Sequence, residues 1–293
     1  MRQVDVSVVI PARNVASTLG LQLEALASQD FAGSWEVVVV DNGSTDGTAE
    51  LVNARRGDRP RFRLVECTEP GANRARNAGV RAAEAPRVLL CDADDVVAGD
   101  WVRELSAALD RFDLVGGSLE YTRLNSPFLQ RTRPHLGTEE LVRAVDGALY
   151  VVTANMGIWR TAFDAIGGFD ESFGTGADDV DFSLLARAYG CRIGFAREAV
   201  VHYRFKEELG SFVRQSYSYA LGHAHLYAKH VASGTFPRQS RILRCRLLIR
   251  QIRHLADGAS IGDNAARWKL AARAAWLVGS VRGLVKYHAI VTY

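Results

Sequence analysis

The stretch Val88-Leu89-Leu90-Cys91-Asp92-Ala93-Asp94-Asp95 decides how this chain is read. An apolar run of the kind found in a buried parallel strand ends in three carboxylates within four positions. Like charges repel, and desolvation raises the cost of keeping them ionised, so packing gives no reason for this much negative charge at a strand end. A divalent cation removes the conflict. Hard oxygen donors suit Mg²⁺ or Mn²⁺, and Mg²⁺ is typically held by one or two carboxylates together with substrate phosphates. An isolated D-x-D is more often a solvated acidic turn, so its place in the fold has to decide.

Outward from this run, strands and helices alternate. Residues 4–10 are β-branched and mostly apolar and predict a strand that Pro11 stops. Residues 15–28 carry Leu19, Leu23 and Leu26 at helical spacing. Residues 35–40 predict a second strand, followed by Asp41-Asn42-Gly43-Ser44-Thr45-Asp46-Gly47-Thr48 and a helix through Arg55. Residues 61–66 predict a third strand, 72–85 a helix, and 87–91 the strand that delivers the acidic run. This alternation predicts a mainly parallel sheet with helices on both faces, where ligands bind beyond the carboxyl ends of the strands. Asp41 and Asp92 both stand at such ends, which turns an ambiguous D-x-D into a candidate site.

The second half is less regular. Residues 101–112 predict a helix, 114–124 one or two strands, 138–148 a helix, and 150–160 an extended segment. A glycine-rich turn region over residues 167–176 leads to Asp178-Asp179 and a helix carrying Phe182, Leu185, Ala186 and Tyr189. Residues 192–202 predict a last strand. There are no internal repeats.

Composition bounds the function. At 293 residues, with 48% hydrophobic and 24% charged residues, the chain can bury a large core. Its four cysteines (Cys67, Cys91, Cys191, Cys245) form no C-x-x-C pair, which argues against structural zinc and fits a reducing cytoplasm. The early first strand predicts no signal peptide, and no uncharged apolar run approaches the roughly 20 residues a spanning helix needs. A cytoplasmic location is expected. The net charge of +3 is uneven: residues 237–293 hold eleven Lys/Arg against two Asp, or +9, which leaves −6 on the remainder.

Several motifs have a plain structural reading beside the chemical one. Turn chemistry and helix capping by Asn42-Gly43 and Ser44 or Thr45 account for that loop except Asp41, whose carboxylate can accept hydrogen bonds from a base or ribose. Arginines near a helix start oppose the dipole, so Arg74 and Arg76 call for another cause. For Arg76 it is a diphosphate, whose oxygens match a guanidinium fork; for Arg74 a surface salt bridge is the simpler account. Asp178-Asp179 would stabilise a helix start unaided, yet after so many glycines a general-base role competes. His202 ends an apolar strand, where a lone histidine is more often structural than a ligand.

In order, Pro11-Ala12-Arg13-Asn14 after a strand, V-V-D-N-G-S-T-D-G-T, A-R-N-A-G, L-C-D-A-D-D, G-G-F-D-E-x-F and a D-D-x-D-F helix resemble family 2 glycosyltransferases with the GT-A fold, over residues 4–225. The resemblance implies a mixed, mainly parallel α/β sheet and an inverting, metal-dependent, hexosyltransferase-type transfer from a nucleoside diphosphate sugar. It implies that Pro11, Ala12, Arg13, Asn14, Asp41, Arg76, Asp92 and Ala93 meet the nucleotide sugar. Asp92 and Asp94 would bind Mg²⁺ or Mn²⁺, with Asp94 the more direct ligand and His202 completing the set. Asp179 would be the general base, and Asp178 would meet the acceptor. Two departures stand out: Arg13 replaces a frequent tyrosine, and Asp178 the usual glutamate.

The expected organisation is a glycosyltransferase domain over residues 1–235, with a nucleotide-binding half at 1–95 and an acceptor half at 96–235, followed by a basic amphipathic helical tail at 236–293. In that tail, Cys245, Leu248, Ile249, Ile252 and Leu255 share one helical stripe and Arg246, Arg250 and Arg253 another. Residues 264–288 add Trp268, Trp276 and more basic residues. Such helices can lie in a bilayer interface at the inner face of the cell membrane, or pack on the domain or a second subunit. The expected acceptor is a saccharide, a lipid-linked molecule or a small molecule of envelope glycan or glycoconjugate synthesis; no nucleic acid is expected. Two alternatives remain open here: a haloacid-dehalogenase-like phosphatase, whose D-x-D normally lies on the first strand, and a non-catalytic sugar-nucleotide binder.

Overall fold

Runs of valine build the sheet. The computed structural model describes residues 4–55, 57–144, 147–174, 176–257 and 263–289. Its first half follows the order β1 (Val6–Ala12), α1 (Ala16–Ala27), β2 (Trp35–Asp41), α2 (Thr48–Asn53), β3 (Arg61–Glu66), α3 (Ala72–Ala82) and β4 (Arg87–Cys91). Then come β5 (Val96–Val97), α4 (Trp101–Ala108), β6 (Leu114–Glu120), α5 (Pro127–Gln130), β7 (Val142–Arg143), β8 (Leu149–Tyr150) and β9 (Asn155–Trp159). The chain continues through α6 (Arg160–Ile166), α7 (Asp178–Ala188), β10 (Ile193–His202), α8 (Leu209–Ala232), α9 (Arg241–Asp257) and α10 (Asn264–Tyr287).

Eight strands form one sheet in the order β3-β2-β1-β4-β9-β6-β10-β5. β1, β2, β3 and β4 are parallel neighbours, as are β6 and β10; β9 runs antiparallel between β4 and β6, and β5 antiparallel to β10. The mixed, mainly parallel α/β architecture expected from the sequence is present. Helices cover both faces, so Val37 to Val40 and Val88 to Leu90 are wholly buried, and a continuous apolar run replaces strict alternation. On one face α3 approaches closely: a Cβ on Gly79 would come within 2.3 Å of Val9 Cγ1 and 2.8 Å of Val40 Cγ2. Only glycine fits there.

Three expectations need correction. Pro11 does not stop β1, which pairs with β2 through Ala12↔Asp41. Asn42 N–H donates to the Ala12 carbonyl, so Pro11, one residue earlier, points to the β4 side, where pairing has already ended at Val9↔Leu90. Its missing N–H therefore breaks no ladder bond. The described residues of 138–148 are not helical: Val142 and Arg143 pair with Tyr150 and Leu149 in a two-stranded sheet, and residues 145 and 146 lie outside the described residues. Gly137 and Gly147 both have positive φ, and Val142 is buried, so burial and turn geometry override helix propensity. Ser44 and Thr45 do not cap α2, whose N-cap is Gly47.

A 24-residue helix, α8, has no counterpart in the sequence reading. Its buried residues are Phe212, Ser216, Ala220, Ala224, Leu226 and His230, and the middle of that stripe consists of small residues four apart. That spacing is legible, but the side chains lack the hydrophobic contrast by which helices are usually recognised.

The described residues fall into two compact units, one from residues 1–124, 135–171 and 182–204, the other from 125–134, 172–181 and 205–293. The first contains the large sheet. In the second, α8 and α10 meet along small residues: a Cβ on Gly279 would lie 2.5 Å from the Tyr217 carbonyl and 2.9 Å from Ala220 Cβ. The Trp268 ring packs 5.3 Å from Phe128 and 5.9 Å from Phe212, between centroids, and Trp276 is buried. α9 joins this packing through Gln251 Nε2, which donates to Ser280 Oγ at 3.1 Å. Among the described residues no helix is long and apolar enough to cross a membrane.

Candidate active site

The carboxyl ends of β1, β2 and β4 carry polar loops tied to one another by side chains. Asn14, at φ 52°, accepts the Thr45 N–H on its Oδ1, while its own N–H donates to Ser44 Oγ at 2.9 Å. Asp46 accepts the Ala16 N–H and the N–H and hydroxyl of Thr48. The Thr48 hydroxyl, then the Ala16 N–H, hold its carboxyl below the usual range. Asn42 is a buried brace: Nδ2 donates to the Cys67 and Glu69 carbonyls, and Oδ1 accepts the Gly71 N–H that precedes α3. Asp41 accepts the Ser44 N–H at 3.1 Å and stays half-buried at the strand end. Asn14, Val15 and Ala16 thus tie the loop after β1 to residues 44–48, while Pro11 and Ala12 end β1 and Arg13 is exposed.

The acidic run is clamped on each side. Gln22, wholly buried on α1, donates to the Asp92 carbonyl at 3.1 Å and accepts the Val97 N–H at 3.0 Å. Leaving β10, Arg204 donates its N–H to Asp95 Oδ1 at 2.7 Å and its Nε–H to the Asp94 carbonyl at 2.8 Å. Between these clamps the side chains of Asp92, Asp94 and Asp95 converge, each offering an oxygen within 4.8 Å of the others. Asp92 and Asp94 are half-buried, and Asp95 is 1% exposed. Ala93 is buried beneath them. Burial, with the nearby charges of Asp92 and Asp95, pushes the Cys91 thiol well above its usual range, which makes it a poor ligand or nucleophile. An all-oxygen set of this spacing fits a hard divalent cation.

Arg76 lies buried on α3. Its Nη1 donates to Asn73 Oδ1 at 3.0 Å, and its Nη2 to Asp92 Oδ1 at 3.4 Å, with the guanidinium 5.8 Å from the Phe169 ring centre. Arg74 pairs with Glu69 and, at 3.8 Å, with Glu171, the surface ion pairs expected of it. The two arginines of one motif therefore have different tasks, and only Arg76 reaches the acidic run.

His202 ends β10 opposite Val96, the residue after the acidic run. Its Nδ1 lies 2.8 Å from Glu120 Oε2 and its Nε2 2.9 Å from Arg123 Nη1. Arginine can only donate, so Nε2 carries the lone pair and Nδ1–H donates to Glu120. Burial pushes Glu120 up, but hydrogen bonds from Thr122, His202 and the Thr122 and Arg123 backbone outweigh it, bringing the carboxyl to about 2. A carboxylate fixing a histidine tautomer is how metal-ligating histidines are oriented, but Nε2 here accepts from Arg123, and the described residues whose ligand atoms converge are Asp92, Asp94 and Asp95 without His202. Sequence reading missed Glu120 because its partner lies 82 positions away.

Asp178 and Asp179 open α7, with Asp179 Oδ1 accepting the Val180 N–H at 2.9 Å. Asp181, on the same turn, is 1% exposed and holds Lys229 Nζ at 2.8 Å and His230 Nε2 at 2.9 Å, both from α8. Asp181 anchors the turn that displays the two acids. Its signal was a third aspartate in the motif, but the partners lie on the helix that escaped the sequence reading. Thr175, in the preceding glycine-rich turn, lies outside the described residues.

A mixed, mainly parallel sheet flanked by helices, with a D-x-D run at a central strand end, is the GT-A class of fold. The description "Glycosyl transferase family 2" matches residues 7–167, more than half of the chain, and the chain belongs to that family. Among sequence relatives, glycosyltransferase AglE of Haloferax volcanii is 27% identical over 67% of this chain and 65% of its own length. Validoxylamine A glucosyltransferase of Streptomyces hygroscopicus subsp. jinggangensis is 30% identical over 66% of this chain and 54% of its own. The chain thus spans between about half and two thirds of these relatives. In three dimensions it resembles the mannosyltransferase PcManGT from Pyrobaculum calidifontis, solved with GDP-Man and Mn²⁺, at TM-score 0.65 and 20% identity, covering 97% of this chain and 88% of that one. S. aureus TarS 1–349 with UDP-GlcNAc follows at TM-score 0.58 and 18% identity, over 97% of this chain and 91% of that one. These likenesses establish the fold. The family match over residues 7–167 weighs against the phosphatase alternative, and the D-x-D lies on β4 rather than on a first strand.

Proposed function

We propose that the protein is an inverting glycosyltransferase that moves a sugar from a nucleoside diphosphate sugar to an acceptor hydroxyl, with Mg²⁺ or Mn²⁺ as cofactor. The observation that carries this reading is the convergence of Asp92, Asp94 and Asp95 at the end of β4 with Arg76 Nη2 at 3.4 Å from Asp92. Family membership and the nucleotide sugars in the solved relatives support it.

Asp94 and Asp92 would hold the cation, with His202 presenting Nε2 as a further donor. When bound, the cation supplies charge stabilisation for the departing diphosphate. Arg76 adds a second, fixed positive charge directed at the same oxygens, preorganised by Asn73 and so needing little reorganisation during transfer. Asp41 receives the base or ribose, and Pro11, Ala12, Arg13, Asn14 and Ala93 shape the cleft around the nucleotide sugar. Asp179 takes the acceptor proton as the hydroxyl attacks, and Asp178 orients that acceptor. A single displacement inverts the anomeric centre.

A panel of UDP-, GDP- and dTDP-sugars, followed by release of nucleoside diphosphate with and without Mn²⁺, tests the reading. Metal-dependent release from one donor, increased by a saccharide or lipid-linked acceptor, is the expected result. Binding without turnover across donors and acceptors would favour the non-catalytic binder.

A further inference from the structure

α9 presents two exposed stripes side by side. Ile242, Cys245, Ile249 and Ile252 follow at spacings of three, four and three, and Ile242, Ile249 and Ile252 are 67%, 48% and 50% exposed. Arg246, Arg250 and Arg253 form the neighbouring stripe and are exposed as well. The opposite side is the packed one, with Gln251 buried and Leu247, Leu248 and Leu255 half-buried. The stripe read from sequence is thereby divided: Leu248 and Leu255 face inward, whereas Cys245, Ile249 and Ile252 face out. The tryptophans of the following helix are packed inside and form no part of this surface.

In the sheet-bearing unit many arginines, among them Arg61, Arg63, Arg87, Arg103, Arg192 and Arg197, pair with carboxylates, while Arg13, Arg81 and Arg111 stand apart as scattered single charges rather than as a stripe. Among the described side chains, which do not include that of Asp257, Arg246, Arg250 and Arg253 have no acidic partner. A stripe of aliphatic side chains beside a stripe of exposed guanidinium groups asks for a surface that is both anionic and apolar just beneath. A second copy meeting this face through the same face would oppose two identical arginine sets. Nucleic acid would supply phosphates but no depth for the isoleucines.

We infer that the outer face of α9 docks on an anionic phospholipid bilayer, with Arg246, Arg250 and Arg253 at the headgroups and Ile242, Ile249 and Ile252 at the acyl boundary. The attraction is electrostatic at long range and fades with salt, and the aliphatic stripe fixes the helix in the plane of the interface. None of these residues is among those assigned to donor binding, so failure of this inference would leave the transfer reading untouched.

The test is flotation of the full chain with vesicles of phosphatidylcholine alone and of phosphatidylcholine with phosphatidylglycerol, at low and physiological salt. Binding to the mixed vesicles only, weakening as salt rises, is expected. Replacing all three arginines by glutamine should weaken it about 10²-fold, about fivefold per arginine. The corresponding lysine triple variant should bind nearly as wild type, because a lipid surface reads charge rather than fork geometry. Ile249→Ser with Ile252→Ser should weaken binding at every salt concentration. All these positions are exposed, so thermal melts should match wild type. Absence of binding at low salt, equal binding to pure phosphatidylcholine, or no loss in the glutamine variant would overturn the inference. So would a concentration-dependent dimer that the same variants abolish, which would make α9 an interface between copies.

Discussion

The molecule carries two clusters of three aspartates in four residues, and they mirror each other: D-x-D-D at Asp92, Asp94 and Asp95, and D-D-x-D at Asp178, Asp179 and Asp181. Their letters are the same and their physics is not. On the first turn of α7 successive side chains diverge, the helix dipole favours negative charge, and each acid finds its own task. Asp181 is paired with Lys229 and within hydrogen-bond distance of His230 Nε2, and Asp179 accepts a backbone N–H. At the end of β4 the chain turns so that three carboxylates converge within 4.8 Å, with no helix dipole to favour them. Asp95 accepts the Arg204 N–H at 2.7 Å, and Arg76 Nη2 lies 3.4 Å from Asp92. The helix cluster spreads its carboxylates toward separate partners; the strand cluster turns its own toward one another.

The largest effect that would break this contrast is at Asp94. Asp94→Asn should reduce transfer to background, a loss of at least ~10³-fold, because an amide cannot replace a carboxylate ligand. The metal-free protein should meanwhile melt at the same temperature or slightly higher, since removing one of three converging charges relieves roughly 1 kcal/mol of repulsion. Isothermal titration with Mn²⁺ and the donor, beside a melt, measures both. A variant that unfolds would place the cluster in the structural class.

Next comes Asp179. Asp179→Asn keeps the shape and the acceptor for the Val180 N–H but removes basicity, so turnover should fall by about 10³-fold with donor affinity retained. If Asp178→Asn produces that fall and Asp179→Asn does not, the two roles are exchanged. Donor binding and single-turnover rates, measured on both variants, separate the cases.

What the sequence revealed follows the same division. The β1–β4 half was legible because valine runs, helical leucine spacing and strand-end acids are local signals, and Asp41, Arg76, Asp92 and Asp94 could be picked from them. Glu120, Gln22 and Asp181 were not, because each acts through a partner 48 to 82 positions away. Gln22 sits on the apolar stripe of Leu19, Leu23 and Leu26, a polar residue where a helix should be greasy, and that was its only trace. α8 escaped because the middle of its buried stripe is Ser216, Ala220 and Ala224, whose packing against glycines of α10 becomes visible only when both helices are present.

Asp181 turns the comparison into a stability measurement. Asp181→Ala removes the buried carboxylate that holds Lys229 and His230, and should cost about 3 kcal/mol, the lower range for breaking a buried pair, because Lys229 retains some solvent access. Chemical denaturation should show it, in the opposite direction to Asp94→Asn. An unchanged midpoint would mean that the helix cluster is not compensated in the way its contacts imply.

The smallest effect sharpens the strand side. Glu120 holds the Nδ1–H of His202 and so leaves Nε2 as the presented nitrogen, the one that Arg123 reaches in this structure. Glu120→Gln keeps an oxygen that can accept the same hydrogen bond but loses the charge, whereas Glu120→Ala loses both. Mn²⁺ affinity in the presence of donor should therefore fall by about 10-fold for glutamine and approach 100-fold for alanine, the range found when the carboxylate behind a metal-ligating histidine is removed. His202→Ala should show a loss at least as large as Glu120→Ala, and the double variant no more than His202→Ala, because Glu120 acts only through the ring. Additive losses in the double variant would show that Glu120 works by another route, through Thr122 and the Arg123 backbone, and would leave the cation to the aspartates alone.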